Sequence, residues 1–301
     1  MERKPYVISE DIDILLQKWA KRHGFKIPED SFFKDLRKKH QKKLEEIFGK
    51  DNVDIISAKE LRTGMERFVR QTGLPFVSID QVYIPTNPAI EVTRVVDGKL
   101  NDCGIAPRFG SPALQEQLLI VKRKFKEIAL IDDVIFSGKV ITEIIRSLEK
   151  IGVKVPTIIA GITTSQGYKT LKENKNVEIL TVRYYQELID QICERDFYPG
   201  VPLCGRSLTG MPIDVGIPYL LPFTIDLKGK SHLKNWASIP EKDQKEFSEF
   251  CLKQTIRLWE EIEKHSQKIV RCCDLERIPL GFHSYYKSRF VDCLKICLKR
   301  L

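Results

Sequence analysis

Residues Glu127–Ile141 read EIALIDDVIFSGKVI, and this stretch decides the fold. Its first part, Ile128-Ala129-Leu130-Ile131, is a continuous apolar run without polar alternation. Such a run is expected of a strand buried on both faces, as in a parallel sheet covered by helices. The carboxylates Asp132 and Asp133 follow, then Val134-Ile135-Phe136-Ser137-Gly138, then KVITEIIRSLEKIG, an amphipathic helix ended at Gly152. In open α/β sheets ligands bind at the carboxyl ends of strands. The free N–H groups and the dipole of a helix N-terminus favour an anion there. Gly138 permits close backbone approach, Ser137 adds a hydroxyl and Lys139 adds charge. Two adjacent carboxylates accept hydrogen bonds from vicinal hydroxyls. The segment therefore suits a ribose 5-phosphate, hydroxyls at one end and phosphate at the other. An acidic turn that only caps the helix is the alternative.

On either side, strands and helices alternate. NVDIISA (Asn52–Ala58), Leu74–Ile84 and Ile90–Val96 read as strands, the last followed by a turn at Asp97-Gly98. GMERFVRQTG reads as a short helix ended by Gly73, and Leu114–Lys124 as another. VPTIIAGI and VEILTVRYY supply two further strands beyond Gly152. This order implies right-handed βαβ units and a parallel sheet. Ser9–His23 and Asp30–Phe48 read as helices, with Ser9 and Asp30 as caps. Arg195–Pro222 is dense in Pro and Gly, and Lys242–His265 and Tyr285–Leu301 read as helices. Three segments result: a helical N-terminal extension (1–50), an α/β core (51–190), and a hood with a C-terminal helical cap (191–301).

Composition narrows the class. The chain has 301 residues, 42% hydrophobic and 30% charged, with a net charge of +9. No run approaches the roughly 20 apolar residues needed to span a bilayer. The charged start MERKPYVISEDIDILL carries no apolar signal core, so a cytoplasmic protein without a membrane partner is expected. The eight cysteines lack CxxC spacing and read as reduced core thiols. The five histidines show no ligand spacing, and there is no Walker A, GxGxxG or HExxH pattern. The positive charge suits phosphate-rich ligands, and nucleic acid is the less favoured partner. KDLRKKHQKK (Lys34–Lys43) reads as the polar face of a helix.

The stretch Glu127–Ile141 resembles the PRPP-binding motif of type I phosphoribosyltransferases (PRTases): four hydrophobic positions, an acidic pair, two hydrophobics, then small residues around a glycine. Phe136 stands where that family usually has a small residue, and Val140 where it has Thr or Ser. The resemblance covers roughly residues 52–185. It implies a PRTase-type α/β fold, a parallel sheet flanked by helices. It also implies transfer of phosphoribose from Mg-PRPP to a nitrogenous, heterocyclic acceptor with release of pyrophosphate. Asp132 and Asp133 would orient the ribose and meet Mg²⁺ directly or through water. Phe136, Ser137, Gly138, Lys139 and Val140 would surround the 5-phosphate. Upstream, Lys59-Glu60-Leu61-Arg62-Thr63-Gly64 would form the pyrophosphate loop, with Lys59, Arg62, Thr63 and Gly64 as contacts and Arg62 aiding catalysis. Leu100–Pro112 would be the mobile loop, bringing Arg108 to pyrophosphate. Asp196, Phe197 and Tyr198 would hold the acceptor in the hood, with Arg206 facing a phosphate or carboxylate. A homodimer is expected. A non-catalytic member, sensing PRPP or nucleotide or binding nucleic acid, is the alternative.

Overall fold

The structure is a computed structural model that describes residues 3–79, 81–174, 177–212, 214–223 and 232–301. Met1, Glu2 and Asp80, the last inside the strand expected at Leu74–Ile84, lie outside the described residues. The strands are β1 (Tyr6–Ser9), β2 (Val53–Ile56), β3 (Phe76–Ser78), β4 (Val92–Val96), β5 (Asp102–Pro107), β6 (Glu127–Ile135), β7 (Lys154–Thr164), β8 (Glu178–Tyr185), β9 (Asp190–Cys193), β10 (Arg206–Leu208), β11 (Val215–Ile217) and β12 (Ile278–Pro279). The helices are α1 (Ile12–His23), α2 (Asp30–Phe48), α3 (Ala58–Thr72), α4 (Leu114–Lys124), α5 (Lys139–Lys150), α6 (Ser165–Asn174), α7 (His232–Ala237), α8 (Gln244–Ser266) and α9 (Phe290–Arg300).

The chain forms two compact units. The first holds residues 1–4, 56–94 and 104–188, and the second holds 5–55, 95–103 and 189–301. The first is the α/β unit. Its sheet has the order β3-β6-β7-β8, and all three pairings are parallel. β6 is central, and its apolar run is fully buried, as the absence of alternation predicts. A core of Leu118, Val121, Leu130, Ile141, Ile144, Ile145, Leu148 and Ile158 joins α4 and α5 to the sheet. The spacing of 141, 144, 145 and 148 is the i, i+3, i+4, i+7 stripe of a helix with one buried face. Helix α3 packs against β7 and β8: Leu61 and Met65 approach Gly161, and Gly64 lies against Val182. The expected parallel sheet flanked by helices is therefore the observed α/β fold.

Several boundaries differ from expectation. Ser9 does not cap a helix; it ends β1, and α1 begins at Ile12 after Asp11. β1 pairs in parallel with β9, from Tyr6↔Asp190 to Ser9↔Cys193, and lies between β9 and β2 in a three-stranded sheet. Residues 5–50 thus belong to the second unit. Trp19 of α1 packs edge-on against Trp259 of α8 and donates to the Asp274 carbonyl at 2.7 Å. The strand expected at Leu74–Ile84 stops at Ser78, whose N–H is taken by the Thr86 hydroxyl at 2.9 Å. Leu100–Pro112 is not an open loop, because Asp102–Pro107 forms β5 beside β4. The turn between these strands is held by the Asp97 carboxylate, which accepts from the Lys99 and Asn101 amides. Six of the eight cysteines are buried and none is in a disulfide. Among the described residues no helix is long and apolar enough to cross a membrane.

Candidate active site

The site is built at the carboxyl end of β6. The strand runs past the acidic pair to Ile135, with Asp132 opposite Ala160 and Ile135 opposite Thr163 on β7. On its other side β3 ends earlier, its last pair being Ser78↔Ile131. Beyond that point the Asp133 amide donates to Asp132 Oδ1 at 3.0 Å. Both carboxylates lie in the sheet's edge region at 8% exposure. Among the described residues no group of three His, Cys, Asp or Glu side chains is placed to hold a metal ion.

After Ile135 the chain turns through Phe136-Ser137-Gly138 into α5. Gly138 is the N-cap with φ 74°, a left-handed conformation that disfavours a side chain. No side chain caps α5. Neither the Ser137 nor the Gly138 amide donates to another group among the described residues. Such a row of open N–H groups at a helix start is the chemistry of an anion site. Lys139 is exposed at the first helical position. Val140 is half-buried and packs on the core. The nearest hydroxyl on the helix, Thr142 Oγ1, already donates to the Gly138 carbonyl at 2.8 Å.

A second junction, which the sequence reading missed, lies against the first. β7 ends in Thr163-Thr164 and leads directly into α6 through Ser165-Gln166-Gly167. Thr164 Oγ1 donates to the Phe136 carbonyl at 2.5 Å and accepts from the Gly167 amide at 3.0 Å. A Cβ on Gly167 would fall 2.6 Å from the Ile135 carbonyl, and one on Gly138 would fall 3.1 Å from the Gly167 carbonyl. The two glycines allow backbone to meet backbone. The signal was present in the sequence: an apolar strand, small hydroxyl residues and a glycine, repeating the form of the first junction. Beside it, Tyr168 of α6 packs edge-on against Tyr184 near the end of β8, with ring centroids 5.9 Å apart. Tyr184 is 46% exposed.

The expected pyrophosphate loop is a helix instead. Ser57 Oγ accepts from the Glu60 amide at 3.2 Å and starts α3 at Ala58, so Lys59, Arg62, Thr63 and Gly64 occupy its first two turns. Amides of Thr63 and Gly64 inside a helix serve the i−4 carbonyls and are not open to a ligand. Gly64 has a packing role: a Cβ there would lie 2.5 Å from Val182 Cγ2. Lys59 and Arg62 are exposed, and the adjacent Leu61 lies over Gly161, whose Cα side faces the Asp133 carbonyl. Both cations thus stand on the solvent-facing side of α3, opposite Leu61. Glu60 between them is held by Arg183 of β8. Arg108 is tied to the hairpin: its Nε donates to the Val92 carbonyl at 2.8 Å and its amide to Glu91 at 3.1 Å.

The expected acceptor residues belong to the second unit and are committed there. Phe197 and Tyr198 are both 0% exposed. Phe197 packs edge-on against His40 and Phe247, and the Tyr198 hydroxyl meets His40 Nδ1 at 3.0 Å. Neither ring has a face left for a base. Asp196 Oδ1 accepts from the Gly205 amide at 2.9 Å and fixes the local turn. Arg206 stacks over Trp236 at 4.2 Å and donates to the Tyr219 hydroxyl at 3.3 Å. The acceptor roles expected of Phe197 and Tyr198 are therefore corrected: both rings are core.

No protein-family model and no curated protein sequence matches the chain. Among solved structures it is similar to UMP synthase from Leishmania donovani, at 13% identity and a TM-score of 0.26 over 42% of this chain and 27% of that one. It is also similar to orotate phosphoribosyltransferase from Aeropyrum pernix, at 13% identity and a TM-score of 0.21 over 49% of this chain and 70% of that one. A third is orotate phosphoribosyltransferase from Mycobacterium tuberculosis H37Rv in complex with inorganic phosphate, at 12% identity and a TM-score of 0.25 over 41% and 68%. The chain thus spans about a quarter of the first of these proteins. Likenesses of this strength carry no weight of their own, and the site is read from its own geometry.

Proposed function

We propose that the protein is a phosphoribosyltransferase that uses Mg-PRPP to transfer phosphoribose to a nitrogenous heterocycle with release of pyrophosphate. The observation that carries this reading is the β6–α5 junction. It joins an acidic pair, a left-handed Gly138 and two open amides at the carboxyl end of a central parallel strand. The 5-phosphate sits at the start of α5, accepting from the Ser137 and Gly138 amides, with Lys139 adding charge. Asp132 and Asp133 orient the ribose hydroxyls and stabilise positive charge developing at C1. The acceptor nitrogen forms its bond to C1 as the C1–O bond to diphosphate breaks, and the acceptor's proton leaves to solvent. Arg62 and Lys59, on the first turns of α3, offset the charge of the departing diphosphate. Mg²⁺ enters as part of the donor, held by phosphate oxygens and water. With Phe197 and Tyr198 buried, the exposed Tyr184 beside Tyr168 offers the stacking face for a planar base.

The test is PRPP-dependent pyrophosphate release across a panel of purines, pyrimidines and other heterocycles. The reading expects one acceptor to turn over, loss of at least a hundredfold in the Asp132→Asn/Asp133→Asn protein, and a raised acceptor KM in Tyr184→Ala. Full activity in the double variant sinks it.

Val140 favours a second reading, a PRTase-fold sensor of PRPP or nucleotide, or a nucleic-acid-binding regulator. It places an apolar side chain where a phosphate-binding hydroxyl is expected, and the Thr142 hydroxyl is already used. PRPP binding without turnover supports the sensor. Nucleic-acid binding that weakens steeply with salt supports the regulator.

A further inference from the structure

Thr164 lies on β7, outside the motif that carries the proposed function, yet its hydroxyl is fully engaged on that motif. It donates to the Phe136 carbonyl at 2.5 Å and accepts from the Gly167 amide at 3.0 Å. A trans peptide points its C=O and its following N–H in opposite directions. Among the described residues the cis bonds are Asn87-Pro88 and Leu221-Pro222, so the Phe136–Ser137 peptide is trans. With the Phe136 carbonyl held toward Thr164, the Ser137 N–H is turned away from the β7–α6 junction. That N–H is one of the two open amides at the start of α5. The glycines on either side reinforce the arrangement. Gly167 must lack a Cβ to admit the Ile135 and Phe136 carbonyls, at 2.6 and 2.8 Å from where that Cβ would sit. Gly138 must lack one to keep its left-handed φ against the Gly167 carbonyl.

We propose that Thr164 is a positioning residue for phosphate recognition: it locks the Phe136–Ser137 peptide plane so that the Ser137 amide is presented to the 5-phosphate. This rests on the ribose-phosphate reading of the site. The alternative for Thr164 is a strand-end threonine that merely ties two loops together. The two roles differ in what removing the hydroxyl does. A structural tie costs stability, and serine at that position shares the cost only slightly. A peptide lock, once lost, lets the plane rotate and removes a donor from the phosphate while the fold remains.

The experiment measures binding of ribose 5-phosphate, with inorganic phosphate and ribose as separate probes, by calorimetry on the full chain. Thr164→Val removes the hydroxyl at nearly constant shape, and Thr164→Ser keeps it. The proposal expects Thr164→Val to bind ribose 5-phosphate and phosphate roughly tenfold more weakly, the change that one oriented hydrogen bond to a charged group brings. Thr164→Ser should restore wild-type affinity. Amide exchange in the wild-type protein supplies a second readout should Thr164→Val fail to fold. The Gly167 amide should be protected, and the Ser137 amide should exchange freely until ribose 5-phosphate is added. Unchanged affinity in a folded Thr164→Val protein, absence of serine rescue, or a Ser137 amide already protected without ligand overturns the positioning role alone. A wild-type protein that binds neither phosphate probe overturns the ribose-phosphate reading, and the positioning role with it.

Discussion

His40 shows how one side chain can change character between sequence and structure. In KDLRKKHQKK it stands among cations and reads as surface. In the structure it is buried against Phe197, Tyr198 and Phe247. Burial holds its pKa down at about 3. The unfolded chain protonates this imidazole near pH 6.5, while the folded protein keeps it neutral. Its contribution to stability is therefore complete above pH 6.5 and is lost as pH falls from there toward 3. One proton of difference corresponds to about 1.4 kcal/mol per pH unit in that window. Urea unfolding at pH 7 and pH 5 should show wild type losing about 2 kcal/mol more than His40→Phe, which keeps an aromatic ring without the titration. Parallel pH profiles would mean that His40 is not the titrating group.

Helix α3 carries two different demands on one element. Its buried side, Leu61, Gly64 and Met65, fits the sheet so closely that Gly64 has no room for a methyl group. Its exposed side carries Lys59 and Arg62. Where the helix begins decides whether those cations are on a rigid support or in a loop. Ser57 sets that start by taking the Glu60 amide, the first half of a Ser-x-x-Glu box. Ser57→Ala is expected to cost about 1 kcal/mol of stability, read by denaturant midpoint at constant m-value. Under the proposed function it also raises the KM for PRPP, because the first turn bearing Lys59 frays. A midpoint equal to wild type would show that the cap does not hold the helix start.

In the whole molecule, the beginning and the end of the chain make one unit. β1 lies between β2 and β9, so its removal separates two strands. A buried charge cluster joins the same segments: Arg195 pairs with Asp11 at 2.5 Å, and Arg37 pairs with Glu194 at 3.0 Å. Removing one partner of such a pair leaves a buried charge uncompensated, at a cost of about 3–5 kcal/mol. A chain shortened to residues 51–301 would lose β1, Asp11, Arg37 and His40 together. It is expected to be insoluble or to melt without cooperativity. A soluble 51–301 fragment with a sharp calorimetric transition would show that the first fifty residues are dispensable for folding.

The α/β unit was legible wherever the signal is local. The unalternated run before Asp132 means a strand covered on both faces. The 141-144-145-148 stripe means one buried helical face, and Gly73 and the Asp97 turn are backbone requirements of the residues themselves. The Ser57-x-x-Glu60 cap is equally local, and it starts α3 at Ala58 where a loop is expected. The Thr164–Gly167 junction was legible in form, but its contact with Phe136 was not, because that hydrogen bond joins residues 28 apart. The remaining errors have the same cause. Tyr198 is closed off by His40, 158 residues earlier, and Ser9 belongs to a strand whose partner begins at Asp190. Glu127–Ile141 alone therefore determined an acidic strand end facing a glycine-led helix, because period and turn chemistry act over a few residues. Which aromatics remain exposed, and which way the Ser137 amide points, depended on tertiary contacts, because burial and peptide orientation are set by atoms far away in the chain.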